Sequence, residues 1–358
     1  MINITKTFLP PRHELDRYID KIYETNWLTN FGQLEQLLTC RLKDYLEVEN
    51  MILVSNGTLA MQVAYKALGL SGEVITTPFS FVATTSSLVW EGLTPVYADI
   101  DPISLTINPD NILPLITDKT SAILGVHVYG RPCAVNQIQQ IADKNHLKVI
   151  YDAAHAFNVK TIENKNLLTY GDASTLSFHS TKLFHTVEGG AIVSNDANLI
   201  KECKKLINFG ITGYDKIEGL GINCKMNEFA AAMGLAVLDN IDKIIVGRRR
   251  VYEIYNELLP KEVLPEQITF TNNNYSYFPI LLKDEEQLIK IRDALINKDI
   301  TPRRYFYPSL NTLNYIKYQQ CPISEDISKR VLCLPISPDL SEKSLIKIYN
   351  IVNDIYFL

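Results

Sequence analysis

Along the first 240 residues, short and almost wholly apolar runs alternate with stretches whose apolar positions recur at helical spacing. Met51-Ile-Leu-Val54 reads as a strand, and Thr58 to Leu70 follows with Leu59, Val63, Ala67 and Leu70 on one helical face. Val74-Ile-Thr76, Pro95-Val-Tyr-Ala98, Ser121-Ala-Ile-Leu-Gly-Val126 and Leu147-Lys-Val-Ile-Tyr151 give further strands, with helices expected over 82–91 and 134–146. Strands that are apolar at successive positions need cover on both faces. Repeated strand–helix alternation therefore predicts an α/β fold, a mostly parallel sheet sandwiched by helices. From about Ile241 the pattern changes. A long helix carrying Arg248-Arg-Arg250 precedes Tyr275-Ser-Tyr-Phe-Pro-Ile-Leu-Leu282, a strand whose internal proline places it near an edge. A helix over 285–297 follows, and Ser341 can cap a last helix reaching about Tyr356. The expected division is a large domain over 1–240 and a smaller α+β domain over 241–358.

Composition narrows the classes of function. A chain of 358 residues has room for two domains and a large core. With 46% hydrophobic and 21% charged residues it reads as an ordinary globular protein. A net charge of −5 gives no general attraction to nucleic acid or an anionic membrane, and neither is expected as a partner. The six cysteines are scattered without a paired C-x-x-C, which points to free thiols and against a zinc site. The first residues lack an apolar signal-peptide segment and no run approaches transmembrane length, so a cytoplasmic location is expected.

The candidate chemistry lies in one constellation. Asp152 closes the apolar run 147–151, and Lys182 stands in Ser177-Phe-His-Ser-Thr-Lys182, past the next strand. A pyridoxal phosphate (PLP) enzyme needs this pair. The lysine amine forms a Schiff base with the aldehyde, and the aspartate pairs with the pyridinium nitrogen to keep the ring an electron sink. Ser55-Asn-Gly-Thr58 lies between a strand and a helix start, where free backbone N–H groups and the helix dipole favour an anion. Gly57 permits close approach there and Thr58 adds a hydroxyl. Phe81, at another strand-to-helix join, is placed to stack on a flat ring. Other chemistries fail: Gly219-Leu-Gly221 begins a dinucleotide fingerprint, but Cys224 stands where the third glycine belongs. There is no Walker lysine motif and no G-x-S-x-G elbow. His179 and His185 are six apart, which is not the spacing of paired metal ligands on a helix, and no metal is expected.

These segments together resemble the nucleotide-sugar aminotransferases of the DegT/StrS family, PLP enzymes of fold type I. The resemblance runs from Trp27-Leu-Thr-Asn30 through Ser55-Asn-Gly-Thr58, Pro78-Phe-Ser-Phe-Val-Ala83, Val126-His-Val-Tyr-Gly130 and Asp152-Ala-Ala-His155. It continues through Ser177-Phe-His-Ser-Thr-Lys182, Glu188-Gly-Gly190, Gly221-Ile-Asn-Cys-Lys-Met226 and Cys333-Leu-Pro335. It implies that Lys182 carries the cofactor and moves the proton, with Asp152 on the ring nitrogen. Gly57, Thr58 and Ser177 would hold the phosphate, Phe81 would stack on the ring, and Asn223 would reach the phosphate of the partner subunit in a homodimer. His155 stands where many relatives have glutamine against the ring hydroxyl, and Lys225 stands where arginine is usual. The residues expected to face the sugar and diphosphate are Trp27, Asn30, His185, Lys225, Arg304 beside Arg303, and Tyr307. The resemblance is strongest to the subgroup that takes dTDP-4-keto-6-deoxyglucose and L-glutamate to the 4-amino sugar, in deoxysugar biosynthesis of the kind that supplies lipopolysaccharide O-antigen. A 3-keto-6-deoxyhexose aminotransferase is the alternative within the class. A PLP-binding regulatory protein without turnover is the alternative outside it. The related sugar dehydratases are disfavoured, because they replace the lysine with histidine.

Overall fold

The computed structural model describes residues 1–266, 268 and 272–357. Its centre is a seven-stranded sheet with spatial order Asn50–Val54, Gly190–Ser194, Ala173–Ser177, Lys148–Asp152, Thr120–Val126, Glu73–Thr76 and Thr94–Tyr97. Only Gly190–Ser194 runs against the rest. Successive residues feed opposite faces. Met51, Leu53, Ile123, Val149 and Val193 join one core, while Ile52, Val54 and Ile192 join the core on the other side. Both faces are covered, which is the physical reason the strands are apolar without interruption. The expected helices form over Gly57–Ala67, Val82–Trp90 and Val135–Asn145.

Two N-terminal helices, Arg12–Thr25 and Gln33–Leu46, add to that alternation. The second places Leu34, Leu38, Leu42 and Leu46 at every fourth position, each no more than 2% exposed. Full burial of a leucine side chain contributes about 1.5–3 kcal/mol, so this one stripe anchors the helix.

The C-terminal part has its own core. Val251, Tyr255, Ile280, Leu288, Ile291, Leu345 and Ile348 are buried around a two-stranded antiparallel sheet, Phe278–Leu281 with Val331–Leu334. Pro279 faces Cys333 there, and a two-stranded sheet is all edge, so its missing N–H costs little. The strand begins three residues later than Tyr275. Asn274 Nδ2 donates to the carbonyls of His155 (2.8 Å) and Phe157 (3.1 Å), holding the approach to the strand against the large sheet. Ser341 caps the helix Glu342–Tyr356 by accepting from Ser344 N–H. The change of core falls within the helix Ile241–Leu258. The strand Ile2–Asn3 pairs in parallel with Ile300–Thr301.

Where the two parts meet, Phe79, Val126, Val128 and Tyr129 pack with Phe306, Ile327, Val331 and Cys333. Asp99 supplies the polar tie. Its Oδ1 accepts from the backbone N–H of Ile100 (2.8 Å) and Ser324 (2.9 Å), and its Oδ2 from Ile323 N–H (2.8 Å). The last two belong to the first turn of the helix Pro322–Arg330, where a carboxylate also meets the positive end of the helix dipole. Replacing Asp99 by alanine should lower the free energy of unfolding in urea by about 2–4 kcal/mol, because buried donors lose a charged acceptor. A change below about 0.5 kcal/mol would deny Asp99 this tie.

Candidate active site

The carboxyl ends of the parallel strands share one side of the sheet, the usual place for a ligand crevice in an open α/β fold. Gly190 begins the reversed strand there, paired on one side with Val54 and on the other with Ser177. The turn after Val54 is thereby brought against the end of Ala173–Ser177. A Cβ on Gly57 would lie 2.7 Å from Ser177 Cβ, so no larger residue fits without moving Ser177. Asn56 caps the following helix by accepting from Leu59 N–H at 2.9 Å.

A cavity of about 390 Å³ opens at this edge. Its wall includes Gly57, Thr58, Phe81, Asp152, His155, Ser177 and Lys182. Asp152 is 7% exposed. One oxygen accepts from Thr84 Oγ1 at 2.9 Å and the other from Ala154 N–H at 3.1 Å. Burial pushes its pKa up, while those two donors and the charge of Lys182 pull the other way. Lys182 stands on a tight turn fixed from below by Phe178 and Phe184, whose rings meet edge to face at 4.8 Å. Its Nζ donates to Tyr277 Oη at 3.1 Å. Burial brings its pKa down to about 8, against opposing pulls from Asp152 and Tyr305. His155 is buried, and its pKa is driven well below the ordinary value by burial and then by Lys182. Its Nδ1 accepts from Tyr129 N–H at 3.2 Å, so the neutral ring carries its proton on Nε2.

Other expected residues lie elsewhere. His185 is 1% exposed and outside the cavity wall, with Nε2 against the carbonyl of Phe8 at 2.7 Å. Its partner is backbone, and the histidines that do line the cavity are His155 and His179. Arg304 also misses the cavity, because it is held by Glu285 at 2.7 Å and lies over the Tyr307 ring at 3.5 Å. Tyr307 lines an adjoining outer groove. Trp27 is half exposed with its indole N–H on Thr29 O, and Asn30 takes a left-handed backbone conformation; both stand outside the cavity. Asn223 is exposed in a backbone bridge to Asn208, and Lys225 donates to Asn208 Oδ1 at 2.8 Å. Neither enters the cavity of its own chain. The sequence reading missed Thr84, Tyr277 and Phe306, of which only Thr84 carried a signal. It falls four residues after Ser80 at a helix start, and the two hydroxyls bond at 2.7 Å.

A buried carboxylate with two fixed donors, a lysine of lowered pKa and a glycine-floored anion turn fit PLP. This fold with this site defines a PLP-dependent aminotransferase of fold type I. The chain belongs to the DegT/DnrJ/EryC1/StrS aminotransferase family, whose model matches residues 11–353. It is 42% identical, over 364 aligned positions covering 99% of each chain, to a dTDP-4-amino-4,6-dideoxy-D-glucose transaminase of Shigella dysenteriae. Among solved structures it is similar to DesI, crystallised in the presence of its TDP-sugar product, with a TM-score of 0.90 and 32% identity over 98% of this chain and 92% of that one. It is also similar to NtdA of Bacillus subtilis with bound cofactor PMP, with a TM-score of 0.88 and 26% identity over 97% and 82% of the two chains.

Only the neutral amine of Lys182 can attack an aldehyde. The rate at which cofactor-free protein captures PLP should therefore rise with pH through about 8 and level off above it. Borohydride should then fix the cofactor on Lys182 in a mass map. A rate still climbing above pH 10, or an adduct on another lysine, would contradict the assignment.

Proposed function

We propose that this enzyme moves an amino group from L-glutamate to dTDP-4-keto-6-deoxyglucose, giving dTDP-4-amino-4,6-dideoxyglucose. The observation that carries the reading is 42% identity along 99% of both chains to a transaminase named for that amino sugar. The lysine–aspartate pair at the cavity supports turnover over a purely regulatory role. When bound, PLP supplies an aldehyde carbon for an incoming amine and a ring that takes up the electron pair left when a proton departs. Gly57, Thr58 and Ser177 would hold its phosphate, and Phe81 would cover its ring. Asp152, oriented by Thr84 and Ala154, would pair with the ring nitrogen. The Nε2–H of His155 provides a donor for the ring hydroxyl, the place where many relatives use glutamine. Lys182, with a pKa of about 8, can both accept and return a proton near neutrality, as a general base and acid must. Tyr277 Oη accepts from its amine and fixes where that proton is handled.

The working unit of this reading is a cytoplasmic homodimer. Support comes from a hairpin, Ile211–Gly213 with Lys216–Ile217, that leaves Phe209, Ile211, Tyr214, Ile217, Leu220 and Ile222 exposed. An apolar patch of this kind marks an interface, and Asn223 lies at its end, free to reach a partner's phosphate. Trp27, Asn30 and Lys225, outside the cavity of their own chain, are assigned to the partner's site on the same ground.

Loaded enzyme given glutamate and a panel of dTDP-linked and free keto-sugars should aminate C4 of the dTDP-linked 6-deoxyhexose, with the amino carbon assigned by NMR. It should sediment as a dimer. The free sugar should lose in kcat as well as KM, since binding energy from the nucleotide positions the reacting carbon. Action only on the 3-keto isomer would replace this substrate by the 3-aminotransferase alternative, and equal turnover of free sugar would remove the nucleotide requirement.

A further inference from the structure

The fold treats two neighbouring arginines differently. Arg304 is engaged by Glu285 (2.7 Å), the carbonyls of Lys329 (3.2 Å) and Ser328 (3.5 Å), and the ring of Tyr307. Arg303 is pinned only through its backbone, which exchanges hydrogen bonds with Cys333 at 3.2 and 2.8 Å. Its side chain is exposed, and among the described residues its guanidinium has no ion pair or hydrogen bond. It lines the cofactor cavity and also the outer groove of about 660 Å³, the two spaces meeting at Ser80, Phe81, Arg303, Tyr305 and Phe306.

Positive charge in the cavity wall is scarce. Lys182 and Arg303 are the only lysine and arginine in the described cavity wall, and Lys182 is committed to the cofactor. The acids there are Asp152 and Glu188. His179 is already faced by Glu188 at 3.5 Å and Thr181 at 2.8 Å. Yet an aminotransferase admits two substrates in turn to one reacting centre. Glutamate brings a carboxylate beyond its reacting carbon, and a nucleotide sugar brings a diphosphate beyond its hexose.

We infer that Arg303 is the shared anion anchor of both half-reactions. It pairs with the distal carboxylate of the amino donor and, after the keto-acid leaves, with the diphosphate of the acceptor. This rests on the nucleotide-sugar reading above. A guanidinium suits both anions, because its planar fork matches carboxylate and phosphate oxygens alike. An unpaired side chain at the junction can serve each in turn without breaking a bond inside the protein. With the diphosphate at Arg303, the outer groove beyond it receives the nucleoside. That groove is lined by Phe81, Tyr305, Tyr307, Leu310 and Leu313, which suits a flat base, and its other two arginines, Arg292 and Arg304, are already paired with Asp293 and Glu285.

The test uses cofactor-loaded protein and two unreactive probes, dTDP and glutarate, with binding measured by calorimetry. In the unaltered protein each probe should exclude the other. Arg303→Gln should raise both dissociation constants by about tenfold or more, the scale of a lost charge-assisted hydrogen bond, and Arg303→Lys should recover part of each. The cofactor absorbance and the borohydride adduct on Lys182 should stay unchanged, which shows that the site is folded and loaded. Simultaneous binding of both probes, or an Arg303→Gln effect on one probe or on neither, would overturn the shared anchor. Failure of the unaltered enzyme to aminate any dTDP-keto-sugar would instead remove the substrate reading. That outcome is separable, because it is read without the variant.

Discussion

An aspartate carboxylate and a lysine amine held in one crevice, with no ion pair between them among the described residues, are what the rest of this structure serves. Water would level both groups to their ordinary behaviour. Burial makes the amine easier to deprotonate and the carboxylate harder to keep charged, so each needs its own local support. Asp152 has it from Thr84 and Ala154, and Lys182 has it from Tyr277. The support comes from distant parts of the chain: a helix start, a strand end and the approach to a C-terminal strand.

The sheet makes that convergence possible. Parallel strands deliver their carboxyl ends to one edge, and the single reversed strand, starting at Gly190, brings the turn at Gly57 against Ser177. The C-terminal part closes the crevice from above. Asn274 grips the carbonyls after Asp152, which carries Tyr277 over Lys182, and Phe306 stacks on His155 with ring centroids 5.5 Å apart. The two hydrophobic cores therefore meet at the chemistry. The contact that joins the two parts also sets the position of the lysine amine.

Much of this was legible in the amino-acid order, for identifiable reasons. Runs such as Ile123-Leu-Gly-Val126 are apolar on both faces because both faces are covered, so strand positions and the parallel sheet could be read directly. The place of Asp152 at a strand end and of the turn at Gly57 at a helix start could be read from the local pattern. Residues whose role depends on packing between distant segments could not. His185 looks as available as His179 along the chain, yet Phe8 takes its nitrogen and buries it. Arg304 looks equivalent to Arg303, yet Glu285, nineteen residues away, claims it. Tyr277 has no local mark, because its meeting with Lys182 is made by Asn274 bonding across the fold. The helices over 12–46 lie ahead of the first strand, outside the alternation that made the other elements readable.

The claim at the centre is that Asp152 drives the chemistry through the ring nitrogen while Lys182 carries the cofactor independently. Exchange of the glutamate α-hydrogen with deuterated solvent, followed by NMR on loaded Asp152→Ala and unaltered enzyme, separates the two roles. The account predicts that the variant still yields the borohydride adduct on Lys182 at full stoichiometry but exchanges at least about a hundredfold more slowly, the scale expected when one preorganised electrostatic partner is removed. Exchange at the unaltered rate in a fully loaded variant would contradict it.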